Sequence, residues 1–145
     1  MEIKFRVATS NDIKSIVYLC NDCFGDMTDL EEAKRIFEKT KNDKNQIYLI
    51  GEIDGKVVAH TRIQIIETIF KGMETYAIIN HVCVRGDYRR HNIATHMLDV
   101  IVKLCKERNC KSIKLWSMNF REAAHACYQK YGFEVNDAKF FSMDI

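Results

Sequence analysis

The chain has 145 residues, 47% hydrophobic and 29% charged, with a net charge of +2. A chain of that length buries roughly 68–70% of the surface it exposes when unfolded, so one self-sufficient domain spanning residues 1–145 is expected. The near-neutral balance excludes a general nucleic-acid binder, which would carry a strongly basic face. The apolar runs fall far short of the ~20 residues that span a bilayer. The N-terminus MEIKFRVATSND lacks the charged-then-apolar pattern of a secretory signal, so a cytoplasmic protein without membrane or nucleic-acid partners is expected.

Residues 3–8 (IKFRVA) read as a strand, and Thr9-x-x-Asp12 as a capping box before Ile13, Ile16, Val17, Leu19 and Cys20 at helical spacing. Thr28-x-x-Glu31 opens a second helix over about 29–41. IYLIGEI (47–53) and VVAHTRIQII (57–66) are strands joined by Asp54-Gly55, a two-residue hairpin signal. Lys71-Gly72 marks a turn before a strand over about 75–84. Met97, Leu98, Ile101, Val102, Leu104 and Cys105 define a helix ending near Asn109. SIKLWSM (112–118) is a strand, 119–130 a helix closed by Gly132, and KFFSMDI (139–145) a last strand. Hairpins first and a βαβ unit later imply an α/β fold: a mixed, mostly antiparallel sheet of six to seven strands flanked by about four helices.

Six cysteines are present: Cys20, Cys23, Cys83, Cys105, Cys110 and Cys127. Cys20-x-x-Cys23 is the one metal-like spacing, and it lies inside a helical pattern with no second pair. No metal site is expected, and the thiols read as reduced and mostly buried.

The segment VRGDYRRHNIAT (84–95) hands a strand over to a helix and places Arg89, Arg90 and His91 at the junction. The first N–H groups of a helix lack partners and its dipole is positive there, so the junction suits a phosphate or pyrophosphate. A solvated basic turn is the plain alternative. Neither a P-loop nor the three-glycine dinucleotide fingerprint is present.

Tyr88-Arg89-Arg90-His91-Asn92-Ile93-Ala94 resembles the pyrophosphate loop of the GCN5-related N-acetyltransferases, which reads Arg/Gln-x-x-Gly-x-Gly/Ala after an apolar strand. Asn119 followed by Ala124-x-x-x-Tyr128-x-Lys130-x-Gly132-Phe133 resembles a second segment of that family. Both occur in order, and the order of elements matches from end to end. One departure is Asn92, which stands on the family's first loop glycine; asparagine is among the residues that best tolerate unusual backbone angles.

The resemblance implies transfer of an acetyl group from acetyl-CoA, as co-substrate, to a primary amine of a small molecule or peptide. Val82, Cys83 and Val84 would offer backbone groups to the pantetheine arm. Arg89, Arg90, His91, Asn92, Ile93, Ala94 and Thr95 would hold the pyrophosphate, and Asn119 would reach the cofactor. Tyr128 falls on the family's tyrosine that protonates the leaving thiolate. The glutamate that relays the amine proton falls on Asn80, leaving the adjacent His81 as candidate base. Neighbouring strand residues face opposite sides, so His81 reaches the substrate beside Asn80 only if a bulge turns it. His60, Glu67, Glu74 and an ordered water are weaker alternatives. Asp22, Asp26, Asp29, Glu31 and Glu32 read either as a rim for a cationic acceptor or as the acidic start of a helix. Two further readings stay open: a non-catalytic CoA-binding regulatory module, and a binder of another phosphate ligand. The resemblance also allows a homodimer, with the apolar final strand as one edge.

Overall fold

The computed structural model describes residues 2–145. Five strands form one sheet in the order β1-β2-β3-β4-β5: β1 Lys4–Val7, β2 Gln46–Ile53, β3 Lys56–Ile66, β4 Tyr76–Val84 and β5 Ser112–Lys114. The first four pair antiparallel, and β5 runs parallel to β4. The parallel step needs a crossover, which α3 (Ile93–Glu107) provides. Asp54 (φ 50°) and Gly55 (φ 76°) both take positive φ between β2 and β3. That is the turn whose twist matches the flanking strands.

Helices cover both faces. α1 (Ile13–Phe24) and α2 (Leu30–Thr40) bury Ile13, Ile16, Val17, Cys20 and Phe37 against Ile50 and Cys83. On the opposite face α3 buries Met97, Leu98, Ile101 and Cys105 against Leu49, Val58, Ile63, Ala77 and Ile79. α4 (Glu122–Tyr131) lies on this second face but buries no residue fully.

Local chemistry sets where the first helices begin. The Thr9 N–H donates to Asp12 Oδ2 at 2.7 Å, so the expected capping box forms around a 3-10 turn, Ser10–Asp12, that runs into α1. Arg6 donates to Asp12 (2.8 Å) and Glu52 (3.2 Å), tying β1 to the start of α1 and to β2. Its guanidinium holds the Asp12 carboxyl below the ordinary carboxylate range. α2 is capped by Asp29, which accepts the Glu32 N–H at 2.9 Å, so the cap falls one residue later than Thr28.

The largest departures from expectation lie at the C-terminus. β5 has three residues rather than seven, and α4 starts at Glu122 rather than Asn119. Residues 139–145 form no strand, so the sheet has five strands, not six or seven. β5 leaves the sheet after Lys114, before it can offer a long edge. Phe140, Phe141, Met143 and Ile145 are all exposed, with Phe140 stacked on Trp116 at 5.4 Å. Among the described residues no helix is long and apolar enough to cross a membrane.

Candidate active site

The site is organised by a bulge in β4. Arg62 pairs with Asn80 and His60 with Cys83, so Thr61 alone stands opposite His81 and Val82. His81 takes φ 53°, a left-handed conformation that redirects its side chain. The Thr61 hydroxyl, fully buried, donates to the Asn80 carbonyl at 3.0 Å and so satisfies the interrupted ladder. The condition set by the sequence is met: Asn80 and His81, adjacent in the chain, line the same cavity.

That cavity, about 460 Å³, lies between the sheet and the α1–α2 pair. Ile16, Val17, Cys20 and Phe37 give it an apolar wall, and Asp26, Glu32, Arg62, Asn80 and His81 provide polar groups. Asn80 Oδ1 is buried there with no hydrogen-bond partner. A buried acceptor without a donor is costly, and an N–H from a ligand relieves it. His81 is half exposed; its Nε2 lies 3.3 Å from Asp26 Oδ2 and its ring meets Phe24 edge-on at 5.2 Å. Gly25 makes this pairing possible by ending α1 at φ 66°, which turns the chain so that Asp26 comes back against β4.

The weaker base candidates are placed elsewhere or spent. His60 is buried, and desolvation lowers its pKa to about 4. It is therefore neutral at pH 7, its Nδ1–H donating to the Leu49 carbonyl at 2.9 Å. Glu67 accepts from Asn45 outside the cavity, and Glu74 lies in the β3–β4 connection. Of the acidic run, Asp29 caps α2, Glu31 pairs with Lys34 and Glu32 with Arg35. Asp26 and Glu32 alone of these line the cavity.

Beyond Val84 a 3-10 turn, Gly86–Tyr88, leads to Arg90 (φ 67°) and Asn92 (φ 60°), both left-handed. Asn92 is the N-cap of α3 in that conformation, the backbone role for which glycine is usual and which asparagine tolerates. Its side chain makes no cap bond, and the first intrahelical bond runs from the His96 N–H to the Asn92 carbonyl. The N–H groups of Ile93, Ala94 and Thr95 thus precede the helical ladder. Arg89, Arg90, His91, Asn92 and Thr95 are exposed around them, whereas the Ile93 side chain is buried in the core and leaves only its backbone available. β5 pairs with β4 over Tyr76–Ile78 alone. From Ile79 to Val84, which includes Val82 and Cys83, β4 has no strand on its β5 side. β5 ends at Lys114, so the stretch of β4 that leads to the start of α3 has a free edge.

Tyr128 is half-buried on α4, edge-on to Phe133 at 5.8 Å. Burial raises its phenol to about 12, with Cys127 and Cys83 adding to the rise and Arg121 opposing it. Asn119 is exposed in the turn before α4. The sequence reading missed Phe24 and Arg121, and it named Asp26 only within an acidic run read as an acceptor rim or a helix start. Arg121 lies over the Phe24 ring at 4.7 Å and joins the start of α4 to the end of α1. Gly25 after an apolar helical run was the one signal that the chain turns there and brings Asp26 back against β4.

A bulged fourth strand with a free edge beyond its short parallel neighbour, leading to a helix N-terminus, leaves a site suited to an extended anionic ligand. The model of the acetyltransferase (GNAT) family matches residues 13–133, and the chain belongs to that family. Its fold is similar to that of a transcriptional regulator from Bacillus halodurans C-125 (20% identity, TM-score 0.90, 99% of this chain and 100% of that one covered). It is similar also to a predicted acetyltransferase from Clostridium acetobutylicum solved with acetyl-CoA (24%, 0.79, 99% and 96%). A third is the glucosamine-6-phosphate N-acetyltransferase of Arabidopsis thaliana (17%, 0.84, 99% and 99%). At these identities the likeness is one of fold.

Proposed function

We propose that the chain, as one domain over residues 1–145, transfers an acetyl group from acetyl-CoA to a primary amine by direct attack in a ternary complex. The observation that carries this reading is the β4 bulge. It turns an unpartnered amide oxygen and an imidazole into one cavity, on the strand whose free edge borders the α3 N-terminus.

The residues present fit the cofactor. Three unladdered N–H groups and the exposed Arg89, Arg90 and His91 suit a pyrophosphate, to which a helix N-terminus and arginines both add favourable charge. The open edge of β4 at Val82, Cys83 and Val84 suits an extended arm that pairs as a strand would. Acetyl-CoA supplies the activated acetyl thioester.

The protein's own contribution is to hold the amine and move two protons. An alkylammonium of pKa ~10.4 is neutral at pH 7 in only about one part in a few thousand, a cost of roughly 4–5 kcal/mol. Asn80 Oδ1 accepts one N–H and orients the nitrogen. His81, held through its Nε2–H by Asp26 Oδ2, takes the proton that must leave at its other ring nitrogen, Nδ1. Tyr128, protonated throughout the physiological range because its phenol is raised to about 12, donates to the departing sulfur. The apolar wall of Ile16, Val17 and Phe37 favours an amine carried on an apolar body.

The test is titration calorimetry with acetyl-CoA, followed by thiol release with a panel of amines. Micromolar binding lost in the Arg89→Ala/Arg90→Ala double variant, with turnover on at least one amine, is the expected result. Binding without thiol release from any amine would support the regulatory module instead. No binding up to millimolar acetyl-CoA would overturn both.

A further inference from the structure

Arg62 differs from the other charged groups of the cavity in having no counter-ion. Asp26 faces His81 and Glu32 pairs with Arg35, but among the described residues no carboxylate pairs with Arg62. The side chain is half-buried and lines the cavity from β3, directly opposite Asn80 on β4. Its guanidinium makes one hydrogen bond among the described residues, from Nη2–H to Gln46 Oε1 at 2.6 Å. Gln46 is itself held, its Nε2–H donating to Asp43 Oδ2 at 3.2 Å. The relay turns the guanidinium toward β2, and Asn80 Oδ1 keeps no donor although Arg62 stands beside it.

Resting on the acetyl-transfer reading of this cavity, we propose that its acceptor is an amino acid with an apolar side chain, whose carboxylate is held by the free N–H groups of Arg62. The amine donates to Asn80 Oδ1, and the side chain lies against Ile16, Val17 and Phe37. The amine nitrogen forms a C–N bond with the acetyl carbon as the C–S bond of the thioester breaks. One amine proton passes to His81 and the departing thiolate takes one from Tyr128. The carboxylate does not react, and the products are an N-acetyl amino acid and CoA.

Two independent vacancies carry this assignment. Asn80 Oδ1 is a buried acceptor without a donor, and Arg62 offers donors and a positive charge without an acceptor. Withdrawing a charge from water without a counter-ion is costly, and an anionic ligand offsets that cost. The planar guanidinium matches a carboxylate through two parallel N–H bonds. Residues directly opposite on one face of an antiparallel pair have Cβ atoms about 4.5–5.5 Å apart. A ligand that fills both vacancies therefore carries its amine and its carboxylate close together, as an amino acid does.

The cavity of about 460 Å³ suits a ligand of that size. A polycationic acceptor fits it less well. A second positive charge would meet Arg62, and the acidic residues that could attract it are engaged: Asp29 caps α2, Glu31 pairs with Lys34 and Glu32 with Arg35. His60, the remaining titratable group of the wall, is neutral at pH 7.

The experiment is titration calorimetry of the full chain with N-acetyl-leucine and with N-acetyl-leucinamide, which differ only in the carboxylate. N-acetyl-leucine should bind about 10–150 times more tightly, the range for a hydrogen bond to a charged group. Arg62→Gln should bring the ratio close to one; if that variant fails to fold, the comparison in the unaltered chain still decides. Equal binding of the two, or binding of neither up to tens of millimolar, would overturn the proposal. So would tighter binding of O-phosphoethanolamine than of leucine, which would assign Arg62 to a phosphate. Thiol release from acetyl-CoA with leucine tests the underlying reading separately. The carboxylate preference without thiol release would count against acetyl transfer alone. Thiol release with isopentylamine beside equal binding of the two acetylated ligands would keep acetyl transfer and overturn the amino-acid assignment.

Discussion

Residues up to α3 and residues after it are built differently. Among the described residues every buried hydrophobic residue lies between Ala8 and Cys105. Beyond Cys105 come a three-residue strand, a helix with no buried residue and an exposed apolar tail. Asn80, His81 and the α3 N-terminus sit on the well-packed part; Tyr128 sits on the other. Stability in a protein is local, and segments with few buried contacts open at low free energy. In the proposed reaction the base, His81, is therefore held by a rigid frame, and the proposed acid, Tyr128, rides on an element free to adjust.

The contrast can be broken or sharpened by experiment. Tyr128→Phe should lower turnover by about 10²–10⁴-fold, the range for loss of a general acid, with acetyl-CoA affinity nearly unchanged. Steady-state kinetics with calorimetry checks this, and unchanged turnover would remove the C-terminal part from the chemistry. Leu98→Ala, in the packed part, should cost about 2–5 kcal/mol in urea unfolding. His60 adds an acid sensitivity of the same part. Its folded pKa, lowered to about 4, lies below the unfolded ~6.5, so stability is full above about pH 6.5. It is lost as pH falls toward 4, at roughly 1.4 kcal/mol per unit. His60→Asn should flatten that slope in urea midpoints measured between those pH values. Arg89→Ala alone should weaken acetyl-CoA about tenfold, one charge-assisted contact among several. Phe141→Ser, in the tail, should change stability by less than about 0.5 kcal/mol, as exposed positions do. A large loss there would mean that the tail packs in solution.

The sequence was most legible where local rules and burial agree. The α1–β4 order, the Asp54-Gly55 turn and the α3 stripe all follow from periodicity and turn chemistry. KFFSMDI reads as a strand by composition, yet strand formation needs an edge to pair with, and β5 ends too soon. The bulge at His81 could be posed as a condition but not decided, because it depends on Thr61 reaching the Asn80 carbonyl from another strand. The pairing of Asp26 with His81 and of Cys23 with Arg89 are contacts across about 55 and 66 positions of chain, which no local pattern encodes.

The bulge also bears on how such a strand could change by insertion and deletion. Ala77 and Ile79 face the α3 side, as do Val82 and Val84, while Asn80 and Cys83 face the α1 side. An odd-numbered frame before the bulge becomes an even-numbered one after it. Removing the single codon for His81 would restore strict alternation and leave every other β4 side chain on its present face. His81 is thus an added residue that the strand can gain or lose without exchanging its two cores.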